Sequence, residues 1–540
     1  MQYKLDLKSN YKKYLTYFVF LINSVLASIA FTNFLVVFFN ESGFTKPLVN
    51  TQKSIIFFGL IICFFLVFLI CSIGGESQKA IEKFIQKVSK HPLFTTVLIV
   101  AIFRLWYSSH FAYYTIYYDS GSYTDYSHNI FLGQTDIFRT PGYPYFLNIV
   151  HFISNNFTCD ISFHETVSLV QSILSLFSVV ILYFAGRKLF SNRYILCLVS
   201  LFYGIAPCVF NWDFCTLTES LSLFCTVVLI YIIFSYLKNP QIYKAIVLGL
   251  YCFVLIMVRP TFVYLIAVLG VFFIARFIFC AKERKKAIAG ILSVAMSGVL
   301  LLGYCGLNYK NYKYFSISSV NNTINNLFIV MYNGWYLNED YPELSQYISD
   351  SITIGGEDSN WISDIIEVAP GYFSYKEIDS YVKDCISKHK SEFYSYTFDK
   401  AKDVLKLNVA DQYTSILNED FRDTSQAILK WTFPFTFASC FILVGIALIL
   451  AIIAFIVKRR ICWQVIGLCA IIFSHIAVSI YGSMGEFPRL CTMVVPAVIM
   501  LLFYLVDYFY TAIVKKKIFH LNNNNSTKIE IKNKTKFQGE

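Results

Sequence analysis

Charge is what this chain has least of. Only 15% of its 540 residues are Asp, Glu, Lys or Arg, while 56% are apolar and 18% aromatic. A soluble domain carries about a quarter charged residues, so a water-soluble chain of this size is excluded. Metal-binding spacings are missing as well. The fifteen Cys include no CxxC pair, and no His/Cys cluster has zinc spacing. Cys63, Cys71, Cys252, Cys280 and Cys440 fall inside apolar runs, where cysteine behaves as a small apolar residue. Cys159 and Cys385 fall outside them and are either free thiols or, if their Cα atoms come close, a disulfide.

What the chain does have is repeated apolar runs of about 20 residues, the length of a membrane-spanning helix. About twelve are expected: 14–39, 54–73, 92–109, 163–186, 194–211, 216–237, 243–258, 260–280, 287–306, 427–457, 461–481 and 490–512. The first follows Lys13-Tyr14-Leu15 and has no small-residue cleavage site, so it reads as a retained span and not a removed signal peptide. The fold class expected is an all-α polytopic membrane protein with one small, mainly helical outer domain.

Lys and Arg set the orientation. They occupy alternate connections: Lys4 to Lys13, Lys79 to Lys90, Arg187 to Arg193, Lys282 to Lys286, Lys458 to Arg460, and Lys515 to Lys517. Both termini are therefore expected in the cytoplasm of a multi-pass cell-membrane protein. The net charge of +11 serves orientation; nucleic-acid binding would need a basic soluble surface, and none is present. The opposite face carries the 110–162 loop and the connections near Asp213, Arg259 and Glu486. It also carries a loop from Leu307 to Gln426 with 18 acidic against 10 basic residues. The organisation expected is a two-helix extension (1–91), a membrane core (92–306), an outer domain (307–426), closing helices (427–514) and a disordered basic tail (515–540) containing Asn522 to Asn525.

The outer-face loop from Asp119 to Pro144 is the least ordinary segment. Asp119, Tyr123 and Tyr126 recur at i, i+4, i+7, which on a short interfacial helix places a carboxylate beside two aromatic rings. Such a carboxylate can act as a general base toward a hydroxyl; the bland alternative is an aromatic anchor at headgroup level. Arg139-Thr140-Pro141-Gly142-Tyr143-Pro144 is a rigid turn that stops a helix and fixes Arg139. A guanidinium held there suits phosphate, with two parallel charge-assisted bonds; the alternative is an arginine reaching to lipid headgroups. Asp125, Asp136 and Asp213 read as solvated loop acids. Arg104 either pairs with an acid such as Glu219 or reaches to the interface.

Several motifs in order carry a resemblance: the Asp119 start, the Arg139-x-Pro-Gly-Tyr-Pro end, and Gly186-Arg187-Lys188-Leu189-Phe190. Thr218-Glu219-Ser220-Leu221, Val258-Arg259-Pro260-Thr261, and Glu486-Phe487-Pro488-Arg489 followed by Pro496 complete the set. Over roughly 92–512 the chain resembles the GT-C superfamily of glycosyltransferases, in the branch of protein O-mannosyltransferases and lipid A aminoarabinose transferases. Two features depart from that pattern: Leu490 stands where a Tyr is usual, and two spans precede the usual first one.

The resemblance implies a transferase that moves a sugar from a polyprenyl-phosphate donor to an acceptor hydroxyl on the extracytoplasmic face, with Asp119 near the acceptor. The donor already bears its phosphate leaving group, so one base and cations on the phosphate would suffice, and direct displacement would invert the anomeric centre. Arg139, Arg259 and Arg489, with Tyr123 and Tyr143, are then expected to hold donor phosphate and sugar. Glu219 and Glu486 would bind the acceptor or support the site, and Glu219 could equally cap a helix start. The expected partners are the lipid-linked donor, a lipid, protein or envelope-glycan acceptor, and membrane lipids. No cofactor is expected. Metal dependence stays open, but the loop lacks the several acids that hold a divalent cation well. Two other readings compete. An O-antigen-type polymerase or ligase should carry its key arginines in the long loop, which holds only Arg422. A lipid-linked sugar transporter or flippase should show inverted repeats, and none is evident.

Overall fold

In a computed structural model, the described residues are 92–109, 118–157, 161–190, 192–355, 372–409, 419–458, 461–483, 486–509 and 511. The expected spans 14–39 and 54–73, the tail, and Cys159 lie outside them; Cys385 is buried with a free thiol. Every regular element among the described residues is a helix. Seven helices are long and apolar enough to cross a membrane, or eight if one bent pair counts as a span. The chain is a multi-pass membrane protein.

The helices, in chain order, are α1 (Pro92–Ser108), α2 (Tyr118–Thr124), α3 (Gly142–Phe157) and α4 (Phe163–Gly186). They continue as α5 (Arg193–Ile205), α6 (Pro207–Phe210), α7 (Thr218–Lys238), α8 (Ile242–Val258), α9 (Tyr264–Phe279) and α10 (Arg284–Tyr312). The outer domain contributes α11 (Asn325–Tyr332), α12 (Pro342–Gly355), α13 (Tyr375–Lys388) and α14 (Lys390–Lys406). The chain closes with α15 (Glu419–Thr432), α16 (Phe437–Lys458), α17 (Trp463–Gly482) and the broken helix α18 (Phe487–Phe509).

Local chemistry explains most of the boundaries. Ser162 and Glu165 form a reciprocal capping box at the start of α4. Pro207 ends the run expected as one span at 194–211, and α5 meets the next helical segment at 61°. The expected span 427–457 is in fact two helices. Pro434 disfavours helix at Phe433 and removes a backbone donor. The break is held by backbone pairing to 407–409, with Val409 N donating to Phe435 O (2.9 Å) and Phe437 N to Leu407 O (3.1 Å). Residues 375–406 likewise form two helices, divided at His389. Ile378 and Val382 join a core with Tyr381, Leu344 and Ile348. In α14, Phe393 and Val404 are buried and Phe398 is exposed.

Helix α7 is buried on all sides and packs against α4 and α8; α18 is similarly enclosed, whereas α16 exposes most of its surface. Successive spans alternate direction. The starts of α7, α9 and α18 and the ends of α8 and α17 therefore share one end of the bundle. The other end receives Lys188, Lys238, Lys282, Arg284, Lys285, Lys286 and Lys458.

Candidate functional site

Three turns from distant parts of the chain deliver arginine to the same end. Arg259 caps the end of α8 in extended backbone, the conformation favoured before Pro260. Arg139 precedes the Pro-Gly-Tyr-Pro turn. There a Cβ on Gly142 would lie 2.5 Å from the Val258 nitrogen and 2.6 Å from the Met257 carbonyl oxygen. Only glycine permits this approach, and it seats the Arg139 turn directly against the backbone that leads into Arg259. Arg489 occupies the first turn of α18. Glu486, just before it, has φ of 53°, the left-handed region that a non-glycine residue rarely adopts. Strain of this kind persists where surrounding structure imposes it, and it concentrates at functional sites.

The three arginines meet three carboxylates. Arg489 sends Nε to Glu219 Oε1 (2.6 Å), Nη1 to Glu486 Oε2 (2.7 Å) and Nη2 to Asp119 Oδ2 (3.1 Å). Arg139 Nη2 takes the other oxygen of Asp119 at 2.8 Å. Arg259 Nη1 lies 3.1 Å from Glu219 Oε1 and 3.2 Å from Thr218 Oγ1. The six formal charges cancel. Glu219 is fully buried, and its Oε2 has no hydrogen-bond partner. By contrast, the Asp119 and Glu486 side chains are 40% and 42% exposed. The network thus has a closed floor and an open rim.

Burial alone would raise the Asp119 pKa, but the Arg139 and Arg489 guanidiniums overcome it and hold the carboxyl below the usual carboxylate range. Asp119 is an anion at neutral pH.

Tyr123 lies under Arg139, whose guanidinium carbon is 4.4 Å from the ring centroid and whose Nη1 donates to its hydroxyl at 3.1 Å. Ser122 accepts from Arg139 Nε at 2.8 Å. Tyr143 packs edge-on to Tyr123 at 5.2 Å, is fully buried, and donates to Gln171 at 3.1 Å. It therefore stands behind the cluster as a support. Gln171 in turn donates to the carbonyls of Asp213 and Cys215, fixing the approach to α7.

The structure brings together Asp119, Arg139, Arg259, Arg489, Tyr123, Glu219 and Glu486. It does not bring in Tyr126: α2 ends at Thr124, and the Tyr126 ring packs on His128 and Tyr145 instead. Asp125 is exposed, and Asp136 accepts from the Phe138 backbone, as loop acids do. Asp213 is no solvated acid. It is buried, accepts from Ser220 Oγ at 2.6 Å, and lies 3.9 Å from Arg104. Arg104 thus pairs with Asp213, not Glu219, and also bonds Gly204 O and Ser175 Oγ. Ser122 and Gln171 carried no signal of their own in the sequence, and Thr218 stood in the Thr218-Glu219-Ser220-Leu221 motif without an assigned role. Among the described residues no group of three His, Cys, Asp or Glu could hold a metal ion.

Residues of the 307–426 segment bond to the backbone beside the site. Asn325 Nδ2 donates to Gly482 O (2.9 Å) and Lys400 Nζ to Ser483 O (2.9 Å), just ahead of Glu486. Ser318 and Ser319 hold the carbonyls of Phe138 and Ile137, just ahead of Arg139.

No protein-family model matches the sequence, and no curated protein does. Among solved structures, the chain is similar to the archaeal oligosaccharyltransferase AglB from Archaeoglobus fulgidus in complex with an inhibitory peptide and a dolichol-phosphate. The identity is 12% and the TM-score 0.42, over 80% of this chain and 52% of that one. An Archaeoglobus fulgidus oligosaccharyltransferase in complex with Zn and sulfate gives 13%, 0.42, 80% and 51%. The chain thus spans about half the length of these neighbours. A likeness this loose does not extend to the site residues.

Proposed function

We propose that this end of the bundle is the active site of a membrane glycosyltransferase. It would use a polyprenyl-phosphate sugar and act on the extracytoplasmic face, with inversion at the anomeric carbon. The observation that carries the reading is the charge-balanced cluster of three arginines and three carboxylates, open at Asp119 and Glu486 and closed at Glu219. The resemblance of its motifs to the GT-C pattern, with the basic connections at the opposite end, supports the same reading.

The mechanism follows from the balance of charge. A donor phosphate entering this neutral cluster competes with the carboxylates for guanidinium hydrogen bonds. Glu219 is buried and shared by two arginines, so the exposed acids yield first. As Arg139 and Arg489 turn toward phosphate, Asp119 loses the partners that depress its pKa and becomes a stronger base. Asp119 then takes the proton from the acceptor hydroxyl, whose oxygen attacks the anomeric carbon. The bond to phosphate breaks with its electron pair, and the arginines stabilise the departing phosphate. Tyr123 keeps Arg139 in plane, while Glu219 holds Arg259 and Arg489 apart at a fixed spacing.

The test is transfer from radiolabelled polyprenyl-phosphate sugars in membranes, using wild type and Asp119→Asn. Label reaching an acceptor in wild type, and lost in a normally folded variant, is the expected result. Transfer at wild-type rate in the variant would remove Asp119 as base. Absence of both transfer and donor binding across the panel would remove the function.

A further inference from the structure

The opposite end of the bundle holds a second buried arginine that the proposed reaction does not use. Arg276 sits in the last turn of α9 and is 2% exposed. Its Nε and Nη2 both donate to Glu283 Oε2, at 3.0 and 2.5 Å. Its Nη1 has no hydrogen-bond partner. A buried guanidinium N–H without an acceptor is costly, and native structures rarely leave one so.

Arg276 lines a cavity of about 360 Å³ between the ends of α7, α9 and α16 and the start of α17. Glu283 and Gln464 supply the polar part of its wall, and Phe279, Phe455 and Trp463 the apolar part. The Trp463 indole N–H is already engaged by Cys280 Sγ at 3.3 Å, so it does not compete for a ligand. The volume is far larger than a single bridging water requires.

The charge around the cavity favours an anion. Glu283 is met on one oxygen by Arg276 and approached on the other by Lys286 at 4.0 Å. Lys282, Arg284 and Lys285 follow in the same connection, and Lys458 ends α16. The apolar wall continues outward onto exposed Phe279, Ile456 and Val457, where acyl chains would lie. A polar recess with basic residues in the adjoining connection, opening onto an apolar helix surface, is the layout an anionic lipid needs: headgroup inward, chains along the helices.

We infer that this cavity binds the phosphate of an anionic lipid headgroup, with the Arg276 guanidinium turning its spare Nη1 donor to the ligand. The site is separate from the proposed active site, so its failure would leave that reading untouched. The experiment measures binding of phosphatidylglycerol, phosphatidylcholine and inorganic phosphate to the full-length purified protein by native mass spectrometry. Phosphatidylglycerol is expected to bind saturably, with phosphatidylcholine much weaker. Arg276→Gln should weaken phosphatidylglycerol binding roughly tenfold, the order expected for one lost charge-assisted hydrogen bond. Glu283→Gln keeps the arginine and frees its other donors, so it should bind phosphatidylglycerol more tightly. Competition by inorganic phosphate would place recognition in the phosphate alone; its absence would show that the chains contribute. If phosphatidylglycerol binds no better than phosphatidylcholine, the inference is overturned. Binding left unchanged by Glu283→Gln would also overturn it, even should Arg276→Gln fail to fold.

Discussion

Arg489 directs Nε, Nη1 and Nη2 to three different carboxylates, whereas Arg276, at the far end of the same bundle, meets one carboxylate and leaves Nη1 without an acceptor. Both guanidiniums are buried among helix ends, and removing either from water is expensive unless partners replace the lost hydration. The first cluster, in which each arginine already meets a carboxylate, takes an anion in competition with those carboxylates. The unsaturated one can take an anion by addition. The two ends should therefore differ in how much stability the removal of an acid costs.

Removing Glu219 should have the largest effect. Glu219→Gln strips the shared carboxylate from buried Arg259 and Arg489, and breaking a buried charge network of this kind costs about 3–5 kcal/mol. A strongly lowered thermal midpoint in detergent is expected; Glu283→Gln, at a carboxylate 35% exposed and paired with one buried arginine, should lower it less. Equal losses would erase the comparison.

Next comes Asp119→Asn, which should lower turnover by roughly 10²–10⁴-fold with the fold intact, the range for loss of a general base. The pH profile sharpens the same point. The free-enzyme pKa of Asp119 is depressed by Arg139 and Arg489. The acid limb of kcat/KM should therefore lie below the usual carboxylate range. The acid limb of kcat should lie higher, because bound phosphate draws those guanidiniums away. Coincident limbs would mean that no exchange takes place.

Gly142→Ala tests the seam between the Arg139 turn and Arg259. A Cβ 2.5 Å from a backbone nitrogen forces a shift, with a stability loss of about 1–3 kcal/mol and a matching rise in KM for the donor. Tyr123→Phe keeps the ring under Arg139 but removes the hydroxyl, so only a few-fold change in KM is expected. Smallest of all, replacing Lys406, paired with Asp403 on the exposed face of α14, should change neither stability nor transfer.

Much of this arrangement was legible in the sequence, for physical reasons. Membrane spans announce themselves by length and apolarity: ten of the expected twelve fall on described helices, and seven of those helices, or eight with the bent pair, are long and apolar enough to cross. Charged residues at span ends are few in so apolar a chain. Asp119, Arg139, Glu219, Arg259, Glu486 and Arg489 therefore stood out, and alternation of basic connections placed them at one end. Burial within loops was not legible. Asp213 looks like any loop acid until the α5–α6 bend carries it inward to Arg104. Nor does spacing reveal that α2 stops before Tyr126, or that Pro434 divides a long apolar run. The spare donor of Arg276 was equally hidden, since periodicity says nothing about which hydrogen bonds go unmade.

The most direct measurement is the dissociation constant of a non-transferable polyprenyl phosphate for wild type and Asp119→Asn at neutral pH. If Asp119 competes with phosphate for Arg139 and Arg489, the variant should bind the lipid phosphate more tightly while losing turnover. Weaker binding by a folded variant, or tighter binding with turnover intact, would contradict the exchange of carboxylate for phosphate on which the account rests.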